Sequence, residues 1–139
     1  MSIASLVASS FANVSDISDC DMYQSAGEQY FILDPSLCSC SPDPPTGGVT
    51  EVFTIGGNFV KSVFVDHIAY SVVVYGSTVY TGDQAVGTTE YGTWTTDIGI
   101  PIPSGINVPL EFIFTACRNS SCSRRLFVVV TEFIPAAMQ

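Results

Sequence analysis

The sequence predicts an all-β protein, an antiparallel β-sandwich, on three observations. After residue 48 the chain carries β-branched and aromatic runs at 49–55, 59–65, 68–75, 110–116 and 126–131, with Gly, Asn or Pro in all but one of the gaps between them. No strong helical periodicity follows that point. The runs 110–116 and 126–131 flank a short polar loop and make the best hairpin of the chain. With 139 residues, the chain is long enough for one domain with a genuine core.

Taken in order, residues 2–18 place Ile3, Leu6, Val7, Phe11, Val14 and Ile17 at helical spacing, with Ser and Asn opposite. A serine-rich helix of this kind is marginal alone and needs something to pack against. It is either a cover for its own domain or an arm that docks on a neighbouring subunit. One short strand is predicted around 29–33. Residues 41–48, Ser-Pro-Asp-Pro-Pro-Thr-Gly-Gly, form the clearest boundary, since prolines donate nothing to a sheet ladder. They divide an N-terminal arm and acidic Cys/Pro-rich segment (1–48) from a β-sandwich body (49–139).

In the body, 49–55 puts Val49, Phe53 and Ile55 on one face and Thr50 and Thr54 on the other, and Gly56-Gly57-Asn58 is expected to turn the chain. Residues 76–96 read as a Gly/Thr-rich loop carrying Tyr80, Tyr91 and Trp94. Residues 100–103, Ile-Pro-Ile-Pro, read as an edge or connector. The closing strands are similar in general pattern to immunoglobulin-like and jelly-roll-like sandwiches, and no family signature accompanies that likeness.

Charge is scarce and divided. Formal net charge is −9, from 13 Asp and Glu against four Lys and Arg. Residues 1–60 hold seven acids and no Lys or Arg, whereas Lys61, Arg118, Arg124 and Arg125 all fall in the remainder. Such a balance repels phosphate backbones and anionic membrane surfaces, so neither a nucleic acid nor a membrane is expected as partner. Apolar runs are too short to span a bilayer. The N-terminus lacks the positive region of a secretory signal, so we expect synthesis without a cleaved signal peptide. The expected destination is a virion or an extracellular assembly.

Five cysteines, Cys20, Cys38, Cys40, Cys117 and Cys122, are an odd number. A four-residue loop sets Cys117 opposite Cys122, within reach of a disulfide. Cys38 and Cys40 are too close to bridge each other, and each is expected to look elsewhere, Cys20 included. An unpaired thiol in this segment could crosslink subunits. A four-thiolate zinc site from Cys38, Cys40, Cys117 and Cys122 departs from knuckle spacing at both ends, so no metal or other cofactor is expected.

Catalytic motifs are lacking. Asp66 and His67 are adjacent in a strand and should point to opposite faces, which denies them an orienting role. No G-x-S-x-G elbow is present. Asp16, Asp19 and Asp21 lack the glycine and closing glutamate of a calcium loop. Glu90 and Asp97 are isolated carboxylates. Arg118, Arg124 and Arg125 at one hairpin tip could instead meet the acidic arm, within one chain or head to tail between copies.

These readings lead to a non-enzymatic, self-assembling subunit of a virion (decoration, coat-associated, tail or fibre component) or of an extracellular filament. Its partners would be copies of itself and other structural proteins of the same particle. The alternative is a carbohydrate-binding module that stacks a glycan on Tyr80, Tyr91 and Trp94. A third option is a carrier for an apolar ligand.

Overall fold

A computed structural model of the chain describes residues 21–42, 47–105 and 108–133, with the backbone alone at Phe133. The expected arm, with Ile3, Leu6, Val7, Phe11, Val14 and Ile17, lies outside the described residues.

Within the described residues seven strands form one antiparallel sheet: β1 (Met22–Ala26), β2 (Phe31–Leu33), β3 (Ser39–Ser41), β4 (Thr50–Val74), β5 (Ser77–Pro101), β6 (Leu110–Cys117) and β7 (Arg125–Phe133). Among the described residues there is no α-helix, only a 3₁₀ turn at Pro35–Leu37 capped by the Asp34 side chain. The all-β prediction therefore holds.

Strand β4 organises the rest. One edge pairs with β5 along its whole length, from Thr50–Pro101 to Val74–Ser77. Its other edge pairs in succession with β3, β2 and β6. Beyond β6 come β7 and then β1, so β1, β2 and β3 lie in the same sheet as the residues after the proline-rich segment.

The β4–β5 ribbon cannot run straight. Between the pairs Phe59–Gly92 and Val63–Glu90, three residues of β4 oppose Tyr91 alone. Between Val65–Thr88 and His67–Ala85, Asp66 opposes both Val86 and Gly87. Unequal counts of this kind bend and twist a strand pair. Gly87 and Gly92 take up φ of 69° and 80°, a region that costs glycine little.

The bend folds the sheet over an aromatic core. Phe31 stacks on Phe127 at 4.1 Å between ring centroids, with Phe59 tilted against Phe31 at 4.8 Å. Phe53, from the first half of β4, meets Phe112 and Phe114 of β6 at 4.8 and 5.3 Å. Each such ring contributes about 1.5–3 kcal/mol when fully buried. β1 and β2 are joined by a side chain instead of a ladder. The Gln24 amide donates to Phe31 O (2.7 Å) and accepts from Leu33 N (2.8 Å). A side-chain amide here stands in for a peptide group and nearly closes the sheet into a barrel.

Two local expectations are corrected. Gly56-Gly57-Asn58 does not turn the chain, which runs straight through it as β4. A Cβ on Gly57 would lie 2.3 Å from Ile32 O and 2.5 Å from the Phe31 ring, and one on Gly56 would lie 2.5 Å from Leu37 Cβ. These glycines let β2 and the 3₁₀ turn approach closely. Val49 precedes the strand and is exposed, while Glu51 takes the inward position beside Phe53 and Ile55.

Residues 77–96 are likewise not a loop but most of β5. Seven threonines favour extended backbone, and β4 supplies a partner for them throughout. Ile100-Pro101-Ile102-Pro103 is an edge as expected: Ile100 and Ile102 are buried, and Pro101 and Pro103 face out.

Candidate functional site

The hairpin tip between β6 and β7 is tied by hydrogen bonds and a disulfide. Arg118 N donates to Arg124 O (2.9 Å) and Cys122 N to Asn119 O (3.1 Å), which closes the loop. The Asn119 side chain donates to Ser123 Oγ (2.7 Å) and accepts from Arg124 N (3.3 Å). Within this frame Cys117 and Cys122 form the predicted disulfide, at a Cα–Cα distance of 4.9 Å. Cys117 is buried and Cys122 half-buried.

His67 of β4 pairs directly with Cys117 across the sheet. Its Nδ1 lies 2.8 Å from Asp66 Oδ2, so the two neighbours do form an orienting pair, contrary to the sequence expectation. The reason is the irregularity at Asp66. Inward-facing positions run Val63, Val65 and then Ile68, so strict alternation is lost at 66–67 and both side chains reach the same space. A ring nitrogen of His67 and the two sulfurs all lie within 4.8 Å of one another.

The chain's four basic residues gather at this end. Arg118 and Lys61 both face the Tyr30 ring, at 6.0 and 5.4 Å from its centroid. Arg124 and Arg125 pair back along the hairpin with Arg118 and Cys117. Among the described residues none of the four lies within ion-pair distance of a carboxylate.

The other predicted positions are scattered. Cys38 is a free, half-buried thiol held against Gly56, whose N–H donates to its sulfur at 3.4 Å. Burial, with a smaller contribution from Asp34, pushes its pKa up, which disfavours the thiolate a crosslinking cysteine needs. Cys40 is disulfide-bonded. With Cys117 and Cys122 joined to each other, the four-thiolate zinc arrangement does not form.

Trp94 is half-buried and set edge-on to Phe31 and Phe59. Tyr91 and Tyr80 are exposed on the same strand, at 72% and 49%. Tyr80 lies beside Tyr70, whose pKa is raised by burial and then by Tyr80 itself. Glu90 accepts from Thr88 and Asp97 from Thr54, both at 2.6 Å. These acids lie seven positions apart along β5, about 23 Å of extended chain, so they do not act as a pair.

An apolar cleft of about 450 Å³ opens where the tip of the β4–β5 hairpin (Val72, Val74, Tyr80) comes back to Ile100, Ile102 and Leu110. At the far end of β6 and β7, Glu111 and Glu132 are direct cross-strand neighbours. Burial, reinforced by Glu111, raises the Glu132 pKa.

Sequence reasoning found the disulfide and the arginines. It missed His67 and Lys61 as members of the same cluster, because only the β4–β6 register and the position of Tyr30 bring them there. No protein-family model matches the chain, and no curated protein matches it.

Proposed function

We propose that the protein is a non-enzymatic, self-assembling structural subunit, of a virion or of an extracellular filament. The observation that carries this reading is the outer edge of β5. Among the described residues β5 pairs with β4 alone, which leaves one edge of a 25-residue strand without a ladder. Natural sheets usually guard such edges with lysine, proline or short length. Here there is no lysine, and proline enters only at the last residue. Exposed Tyr75, Val79, Tyr80 and Tyr91 flank the edge with apolar surface. The basic end, which has no carboxylate partner among the described residues, supports a second, charge-based contact to the acidic N-terminal segment of another copy. A β5-to-β5 contact is two-fold and joins copies in pairs, and the heterologous contact between basic end and acidic segment then links the pairs into filaments or shells.

The test is negative-stain microscopy and sizing of the purified protein beside a Thr81→Lys/Thr89→Lys/Thr95→Lys variant. These threonines are exposed on β5, so added lysines should spare the fold and disrupt edge pairing. Particles or filaments in the parent and monomers in the variant are expected. A parent that is monomeric at all concentrations defeats the proposal. The carbohydrate-binding alternative has less support: Trp94 packs in the core cluster, leaving Tyr80 and Tyr91 to stack on sugar.

A further inference from the structure

We propose that reduction of the Cys117–Cys122 disulfide opens a binding site for a thiophilic divalent metal ion, with His67 as third ligand. The site follows from three observations that do not depend on one another. The loop that carries both sulfurs is closed by hydrogen bonds from Asn119 to Ser123 and from Arg124 N to Asn119. The β4–β6 register sets His67 across from Cys117, and the imidazole and both sulfurs lie within 4.8 Å of one another. Asp66 grips Nδ1 of His67 at 2.8 Å, which leaves Nε2 for a metal.

That last contact is the arrangement metal sites use. A carboxylate on the far ring nitrogen fixes the tautomer, aims the ring and strengthens it as a donor. Two thiolates and one imidazole suit zinc and other soft or borderline ions. Metal–sulfur and metal–nitrogen bonds of about 2.3 and 2.0 Å put tetrahedral ligand atoms about 3.5–3.8 Å apart. To meet that geometry the nitrogen–sulfur gaps close by at most about 1 Å, and the two sulfurs, once no longer bonded, part by about 1.7 Å. Cys122 is the residue free to do this, since it sits in the loop and not in a strand. The fourth position stays open to water.

The chemistry balances as follows. A dithiol reductant gives up two electrons and two protons and closes its own disulfide, while Cys117 and Cys122 emerge as two thiols. A divalent ion then replaces one proton on each sulfur, so two protons leave for every ion bound. A small-molecule disulfide reverses both steps: it takes two electrons from the bound thiolates and two protons from solvent to become a dithiol, while the Cys117–Cys122 bond re-forms and the ion is released.

Cobalt(II) is the probe, because its thiolate complexes absorb and zinc, which binds more tightly, displaces it. The full-length protein carrying Cys38→Ser is titrated anaerobically, once oxidised and once reduced with a phosphine. One equivalent of cobalt with a sulfur-to-cobalt band is expected in the reduced sample and none in the oxidised one. Zinc should bleach the band. Asp66→Asn should weaken binding about 10- to 100-fold. His67→Asn should weaken it at least as much, with circular dichroism checking that both variants fold. The Cys117→Ser/Cys122→Ser variant retains Cys20 and Cys40 and should show no band. Absence of the band on reduction, its survival in the double-serine variant, or indifference to His67→Asn overturns the proposal.

Discussion

β4 and β5 have the same length, lie side by side for almost every residue, and do opposite things. β4 has partners on both edges and buries Phe53, Ile55, Phe59, Val63, Val65, Ile68 and Val72. β5 has a partner on one edge and buries only Ile98 and Ile100. Composition follows the division: seven valines in β4, seven threonines in β5. Pairing makes a strand, but burial decides whether its side chains must be apolar. A threonine-rich strand pairs its backbone with β4 on one side and keeps one face exposed, while the other is half-buried until Ile98 and Ile100. What it leaves over is an edge.

The contrast is broken most directly by truncating one ring on each strand. Phe59→Ala should cost about 3–5 kcal/mol, since it opens a cavity between Phe31, Trp94 and Phe127. Tyr91→Ala, on the exposed side of the same bulge, should stay within about 0.5 kcal/mol. Chemical denaturation measures both. A loss for Tyr91→Ala approaching that for Phe59→Ala would mean that β5 is packed in a way its exposure does not reveal.

Gln24 extends the comparison to the strand pair that has no ladder of its own. Gln24→Ala removes two half-buried hydrogen bonds to β2 and should cost about 1–3 kcal/mol. Hydrogen exchange should quicken in β1 and β2 first. Unchanged protection at Leu33 would show that the side-chain bridge is dispensable.

The smallest effect is expected at the Glu111–Glu132 pair, opposite each other at the end of β6 and β7. Burial raises the Glu132 pKa in the folded protein, so the folded state binds the proton more tightly than the unfolded one. Its contribution to stability therefore falls as pH rises from the ordinary carboxylate range through the raised folded value. Glu132→Gln should raise Tm slightly at neutral pH and leave it unchanged in acid. A gain that persists at low pH would point to something other than ionisation.

Much of the fold was legible because it is local. The closing hairpin needs only neighbours in sequence, and its disulfide joins cysteines five positions apart, although Cys117 pairs with Arg125 across the ladder and Cys122 lies within the loop. The same logic failed at Gly56-Gly57. Glycine serves a turn and a close approach equally well, and only the arrival of Phe31, Ile32 and Leu37 tells which is meant. It failed again at Asp66-His67, where a two-residue rule was undone by an extra residue on the partner strand. The basic cluster was half visible. Three arginines are close in sequence, while Lys61 joins them only through Tyr30.

By itself, then, the sequence determined the all-β class, the hairpin and its disulfide, and the scarcity and partition of charge. Those properties depend on composition, on period-two patterning and on contacts a few residues apart. Tertiary structure alone decided that β4 and β5 run unbroken, that Gln24 bridges β1 to β2, and that His67 comes to the disulfide. Each of these depends on which distant segment arrives at a given backbone, and that choice is made by the whole core at once.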